Sequence, residues 1–218
     1  MLKLLSLVLL SGCATLGTFQ NAETLGKGGW EVGIEPSMWG GAGAGGAVTY
    51  PHAGVSARVG VSDRVDIGGR IGSTGVEFTT KFGLTARDAA VPISFAPTVG
   101  GFAIAVSGAS AGILALHLPV LIGLRVGDRG EFVLGPKAHI YQIFANSGSL
   151  GGSATIWSLG GSAGYSAPVG KTVKLIPEVA CVVPVVGTAS ASGSSVSAFG
   201  SSGVLFQVGM GIVIGSKQ

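Results

Sequence analysis

Few residues in this chain could do chemistry, and their spacing limits what that chemistry is. Cys13 follows Leu10-Ser11-Gly12 at the end of an apolar stretch that opens with Lys3. The charged start with a short apolar core closed by two small residues is the pattern of a secretory signal rather than a spanning helix. His52, His117 and His139 are the only histidines. A metal site wants several such ligands at close spacing with a carboxylate beside them, so no metal site is assigned. A hydrolase needs nucleophile, base and orienter within reach. His52 has Tyr50, Ser37 and Ser56 near it in a strand reading, but no paired Asp-His constellation follows, and the expectation is no enzyme. The run Gly40-Gly41-Ala42-Gly43-Ala44-Gly45-Gly46 has no Lys-Ser/Thr after it and opens no helix, so it is not a phosphate loop, and no cofactor is implied.

The phrase Leu10-Ser11-Gly12-Cys13 resembles the signal of bacterial lipoproteins. The resemblance implies that the Cys13 thiol is acylated, that residues 1–12 are removed, and that residues 13–27 form an N-terminal tether. It also implies sorting to the outer membrane, with which Ala14 is compatible. Lipid of that membrane is then the expected partner.

Composition narrows the remaining classes. Glycine accounts for 40 of 218 residues, and charged residues for 11%, against about a quarter in ordinary soluble domains. No stretch after Cys13 offers some twenty apolar residues to cross a bilayer as a helix. An apolar chain without helical spans points to strands in a membrane. A net charge of +3 is too small and too dispersed for a nucleic-acid surface. Cys181 is the other of two cysteines, which excludes a disulfide framework and fits a small apolar role.

Stepping through residues 28–218, apolar side chains recur at period two, the signature of strands. Val55, Ala57, Val59 and Val61 alternate with Ser56, Arg58 and Gly60; Leu114, Leu116, Leu118, Val120, Ile122 and Leu124 oppose His117, Gly123 and Arg125. About ten such strands can be drawn, most of them close to the 9–11 residues that a tilted transmembrane strand requires. Their charges all fall opposite the apolar face: Glu31, Glu35, Arg58, Asp66, Arg70, Glu77, Lys81, Arg125, Glu131, Lys137, Lys174 and Glu178. Acids and bases balance, which favours a self-neutralising interior over an ion-selective pore. His117, His139 and Tyr141 share that face as possible lumen polar groups.

The connections segregate as well. Ser62-Asp63-Arg64, Arg87-Asp88, Asp128-Arg129 and Lys171 carry charge, whereas Gly40 to Pro51, Ser73 to Gly75, Ala103 to Gly112, Asn146 to Gly152 and Gly187 to Ser202 carry none. The expectation is an all-β, antiparallel up-and-down transmembrane barrel of about ten strands, with short turns at one end and longer loops at the other.

With Val61-Ser62-Asp63-Arg64-Val65-Asp66-Ile67-Gly68 as a typical inter-strand turn, the chain resembles the small outer-membrane β-barrel proteins of bacteria, in particular those made as lipoproteins. Gly215-Ser216-Lys217-Gln218 departs from them by lacking a terminal aromatic residue. The resemblance implies an outer-membrane protein with its N-terminus on the periplasmic side, structural or a narrow conduit for small solutes. Two alternatives stand beside it. One is a barrel that binds or passes a hydrophobic ligand on Leu121, Ile143, Ile176, Val182, Leu205 and Val213. The other is a lipid-anchored surface β-sandwich acting as an adhesin. No pattern points to a particular oligomer.

Overall fold

The computed structural model describes residues 15–43, 46–73, 75–106, 108–127, 130–147, 150–191, 194–199 and 203–216; the signal segment 1–12 and Cys13 lie outside the described residues. Within them every regular element is a strand: β1 (Trp30–Ile34), β2 (Ser37–Gly43), β3 (Gly46–His52), β4 (Gly54–Ser62), β5 (Val65–Gly72), β6 (Gly75–Gly83), β7 (Ile93–Phe95), β8 (Thr98–Val106), β9 (Ala109–Val126), β10 (Gly130–Ser147), β11 (Leu150–Val169), β12 (Val173–Ala191), β13 (Ser194–Phe199) and β14 (Val204–Ser216). Four pairs (β1 with β2, β3 with β4, β7 with β8, β13 with β14) are single staves broken once, so fourteen segments make ten antiparallel strands. Pro36 and Pro97 sit at two of the breaks, where the missing N–H interrupts the ladder.

The sheet closes on itself. β14 pairs with β12 on one side, as Val173 with Ile214, and with β1 on the other, as Trp30 with Ser216. Closure removes every free edge and excludes the β-sandwich alternative.

Period two separates the faces, and their polarity is the reverse of a water-soluble barrel. Ile71, Leu114 and Val76 point outward and are 67%, 58% and 58% exposed, while Asp66, Lys81 and His139 point inward at 1%. Phe132 and Tyr165 pair across β10 and β11 near the charged turns, and Trp157 faces outward eight residues along β11. Eight residues are about 26 Å of strand, or about 20 Å of barrel axis at the usual tilt.

The two walls differ in height. β9 to β12 run for 18 to 20 residues, whereas β5 and β6 have 8 and 9. The uncharged connections expected as long loops are mostly ladder: Ala42 pairs with Ala47, Ala103 with Gly112, Asn146 with Gly151 and Ser190 with Ser195. Small residues alternate as strictly as large ones, but glycine and alanine carry too little apolar contrast for period two to show.

Candidate functional site

The interior of the barrel is occupied by the chain's own N-terminal segment. Thr15 to Gly26, expected as a tether outside the barrel, runs within it, and Leu16, Phe19, Ala22 and Leu25 are 2% exposed or less. An irregular backbone cannot bond to itself, so each buried N–H needs a partner from the wall. Carboxylates and an amide supply them. Thr15 N donates to Glu77 Oε1 (2.7 Å), and Leu16 N and Gly17 N both donate to Gln207 Oε1 (2.7 and 2.8 Å). Thr18 N and Phe19 N donate to the two oxygens of Glu178 (2.8 and 2.6 Å). Ala22 N and Asn21 Nδ2 take Glu131 (2.8 and 2.5 Å), and Leu25 N bridges both oxygens of Asp66 (3.0 and 3.1 Å).

Cations satisfy the carbonyls of the same segment. Lys137 Nζ donates to Leu16 O (2.6 Å), Arg70 to Thr18 O (3.1 Å) and Lys81 Nζ to Glu23 O (2.9 Å). Bonds with an ionised partner are roughly twice as strong as neutral ones. The lumen charges thus grip a polypeptide from both sides.

Local sequence makes room for that polypeptide. Phe19, with a left-handed φ of 46°, lies over Gly209 and Gly211; a Cβ on either would come within 2.9 and 3.0 Å of the ring and its Cβ. At the charged end the segment turns into β1 through Gly26 and Gly28, with φ of 78° and 80°, values that glycine alone adopts at no steric cost. Gly28 N donates to Gly60 O at 2.8 Å, and a side chain at Gly60 would strike the Gly26 carbonyl.

Eleven of the twelve expected lumen charges face inward and are mostly enclosed, among them Glu31, Glu35, Asp66, Glu77, Lys81, Glu131, Lys137 and Glu178, all 5% exposed or less. Arg58 binds Glu31 (2.7 Å), Arg70 binds both Glu35 (2.6 Å) and Glu77 (2.8 Å), Lys81 binds Asp66 (3.1 Å), and Lys174 also binds Glu31. Arg125 does not join them: it is exposed at the rim and donates to Arg87 O. Glu131 and Glu178 serve backbone amides instead of cations, so the expected mutual neutralisation describes only part of the network. Gln20, Asn21, Gln207 and Ser166 belong to the site although their types gave no sign of it. Arg58 reaches Gln20, and Ser166 Oγ bonds Asn21 Oδ1 at 3.1 Å. The inward pair Gly209 and Gly211, a lane wide enough for a ring, was the readable signal.

The histidines meet in the lumen wall. His117 and His139 are cross-strand partners with ring centroids 4.3 Å apart, and His139 Nδ1 lies 3.0 Å from the Tyr141 hydroxyl. Among the described residues no group of three or more His, Cys, Asp or Glu is placed to hold a metal. His52 contacts Ser73 Oγ through Nδ1 (2.7 Å) and Thr15 Oγ1 through Nε2 (3.5 Å), so a serine hydroxyl stands at Nδ1, where a triad's carboxylate would orient the ring. Cys181 is exposed on the outer face of β12.

The apolar candidates Leu121, Ile143, Ile176, Val182 and Val213 are all inward and buried, with Leu205 partly so. They do not form one ligand patch. Ala22 packs with Leu121, Val133 and Ala96; Leu16 with Trp39, Ala180 and Val182, against Leu205; Phe19 lies against Ile176 through Gly211. Ile143 belongs to a third group with Ile113, Ala115 and Tyr141. Between the segment and the wall, beside His117 and His139, remains a cavity of about 20 Å³, room for one water. A wider space of about 330 Å³ opens at the charged end between Asn21, Glu131 and Lys174.

No family model matches this chain, and no curated protein does. Solved structures do resemble it in fold. Neisserial surface protein A is 10% identical over 85% of this chain and 96% of its own, with a TM-score of 0.46. The outer membrane protease OmpT from Escherichia coli is 8% identical over 86% and 97%, at 0.46. The translocator domain of autotransporter NalP from Neisseria meningitidis is 11% identical over 84% and 88%, at 0.47. Likenesses this distant transfer no activity to this chain.

Proposed function

We infer that this chain is a non-enzymatic β-barrel of the bacterial outer membrane, a structural element with a stoppered lumen, whose lipid anchor is Cys13. The observation that carries the reading is the seating of Thr15 to Leu25 on Glu77, Gln207, Glu178, Glu131 and Asp66. Outward Leu, Ile and Val with inward charge support residence in lipid, where an outward Arg or Lys at the midplane would cost about 2–4 kcal/mol. By the usual arrangement of such barrels the charged turns face the periplasm; Thr15, beside His52 and Ser73, then lies at the outer end and not on the periplasmic side expected for the N-terminus. A narrow conduit fits less well, because the segment fills the middle of the lumen and leaves a cavity of about 20 Å³.

Planar-bilayer recording tests this directly. The intact protein is expected to insert without conducting, and a variant lacking residues 15–26 to give discrete conductance steps. Steady conductance from the intact chain would make it a pore. The hydrophobic-ligand reading keeps one supporting observation, the group Ile113, Ala115, Tyr141 and Ile143.

A further inference from the structure

At the charged end the N-terminal segment and the wall leave between them a space of about 330 Å³, within the usual size of small-molecule sites. The buried side chains of Asn21, Glu31 and Glu131 line its depth, and the exposed ones of Arg125 and Lys171 its rim. Some of the charge there is already spent. Glu31 is shared by Arg58 and Lys174, and Glu23 is paired with Arg87.

Glu131, Arg125 and Lys171 differ. Glu131 accepts from Ala22 N and Asn21 Nδ2, which uses two of the roughly four positions that an ionised carboxylate offers. Among the described residues no cation pairs with it. Arg125 is its partner across the β9–β10 ladder, where opposite charges ordinarily attract. The two do not meet. The Arg125 guanidinium turns to the carbonyl of Arg87 at 2.7 Å, and both side chains line the same space instead. Lys171 likewise has no carboxylate partner among the described residues.

We propose that this space binds a small zwitterion, with its ammonium group on Glu131 and its phosphate or carboxylate on Arg125 and Lys171. A simple anion is drawn to the rim but meets Glu131 and Glu31 at depth, and a simple cation has to pass Arg125 and Lys171. A molecule carrying both signs answers the arrangement, and its ammonium supplies the partner that a buried carboxylate otherwise lacks. In the orientation inferred above the site faces the periplasm, where two sources offer this chemistry. One is the phosphoethanolamine headgroup of a lipid in the adjoining leaflet, and the other is a free amino acid. Either lies against Asn21 and so braces the seated segment from the charged end.

The test is calorimetric titration of the intact, folded protein in nonionic micelles with glycerophosphoethanolamine, alanine, ethanolamine and inorganic phosphate. At least one of the two zwitterions is expected to bind at a single site, roughly tenfold or more tighter than ethanolamine or phosphate. Arg125→Met and Lys171→Met are expected to lose most of that preference. Both side chains are exposed at the rim, so these variants should fold, as heat-modifiable mobility reports, and Glu131→Gln then probes the depth. Tighter binding of alanine assigns the site to a free amino acid. Tighter binding of glycerophosphoethanolamine, with phosphatidylethanolamine retained in native mass spectrometry and lost from Arg125→Met, assigns it to the headgroup. Zwitterions that bind no better than the single-sign probes, or whose binding the rim variants leave unmoved, would overturn the proposal. The stoppered barrel would stand even so, because bilayer recording tests it separately.

Discussion

Toward the charged end, the barrel interior holds Glu31, Arg58, Asp66, Lys81, Glu131 and Lys174; toward the uncharged end it holds Trp39, Val182, Ile113, Tyr141 and Ile143. The first half encloses polypeptide without regular structure, whose amides and carbonyls would be costly to bury unpaired. The second half encloses mostly apolar side chains, and the backbone that reaches it, Thr15 to Gly17, is met by one carboxylate and one amide, Glu77 and Gln207. The contrast shows that lumen charge in this barrel does more than neutralise itself. It follows the path of the backbone that it binds.

Breaking the charged half should have the largest effect. Arg70→Met leaves Glu35 and Glu77 without their cation and Thr18 O without its donor, so a loss of about 3–5 kcal/mol is expected in urea unfolding of vesicle-inserted protein. A loss below about 1 kcal/mol would show that these charges are not coupled. Phe19→Ala comes next, at about 3 kcal/mol, because it empties the lane over Gly209 and Gly211. Hydrogen exchange at residues 15–25 should rise with it, and unchanged protection would mean that the ring does not lock the segment.

Glu178→Gln keeps an acceptor for only one of Thr18 N and Phe19 N, sets an amide NH2 against the other and removes the charge, and is expected to cost about 2 kcal/mol. The smallest effect belongs to the uncharged half: Ile143→Val should cost about 0.5–1.5 kcal/mol by the same titration. Should Ile143→Val cost as much as Glu178→Gln, or more, the two halves would not differ in the way their chemistry implies.

Much of the fold was legible before any coordinates. Strict alternation in stretches such as Val55 to Val61 and Leu114 to Leu124 set strand positions and faces, because a large apolar residue at every second place leaves one register. It was less legible in Ala103 to Gly112 or Gly187 to Ser202, where glycine, alanine and serine occupy both faces and ladder looks like loop. Inward charges could be named from parity alone. Their partners could not, since Arg70 reaches Glu35 on another stave and Glu178 finds an amide of residue 19.

By itself, the order of residues determined an all-β chain with one lipid-compatible face and a charged opposite face. Those are local properties, carried by side-chain type and a period of two. The barrel of about ten strands could also be read from that order; only the tertiary structure decided that Arg125 stays at the rim and that Thr15 to Gly26 fills the interior. These depend on contacts between residues far apart in the chain, such as Leu16 with Gln207, 191 positions on. Sequence periodicity carries no record of such pairs, because the geometry that joins them exists only once the barrel has closed.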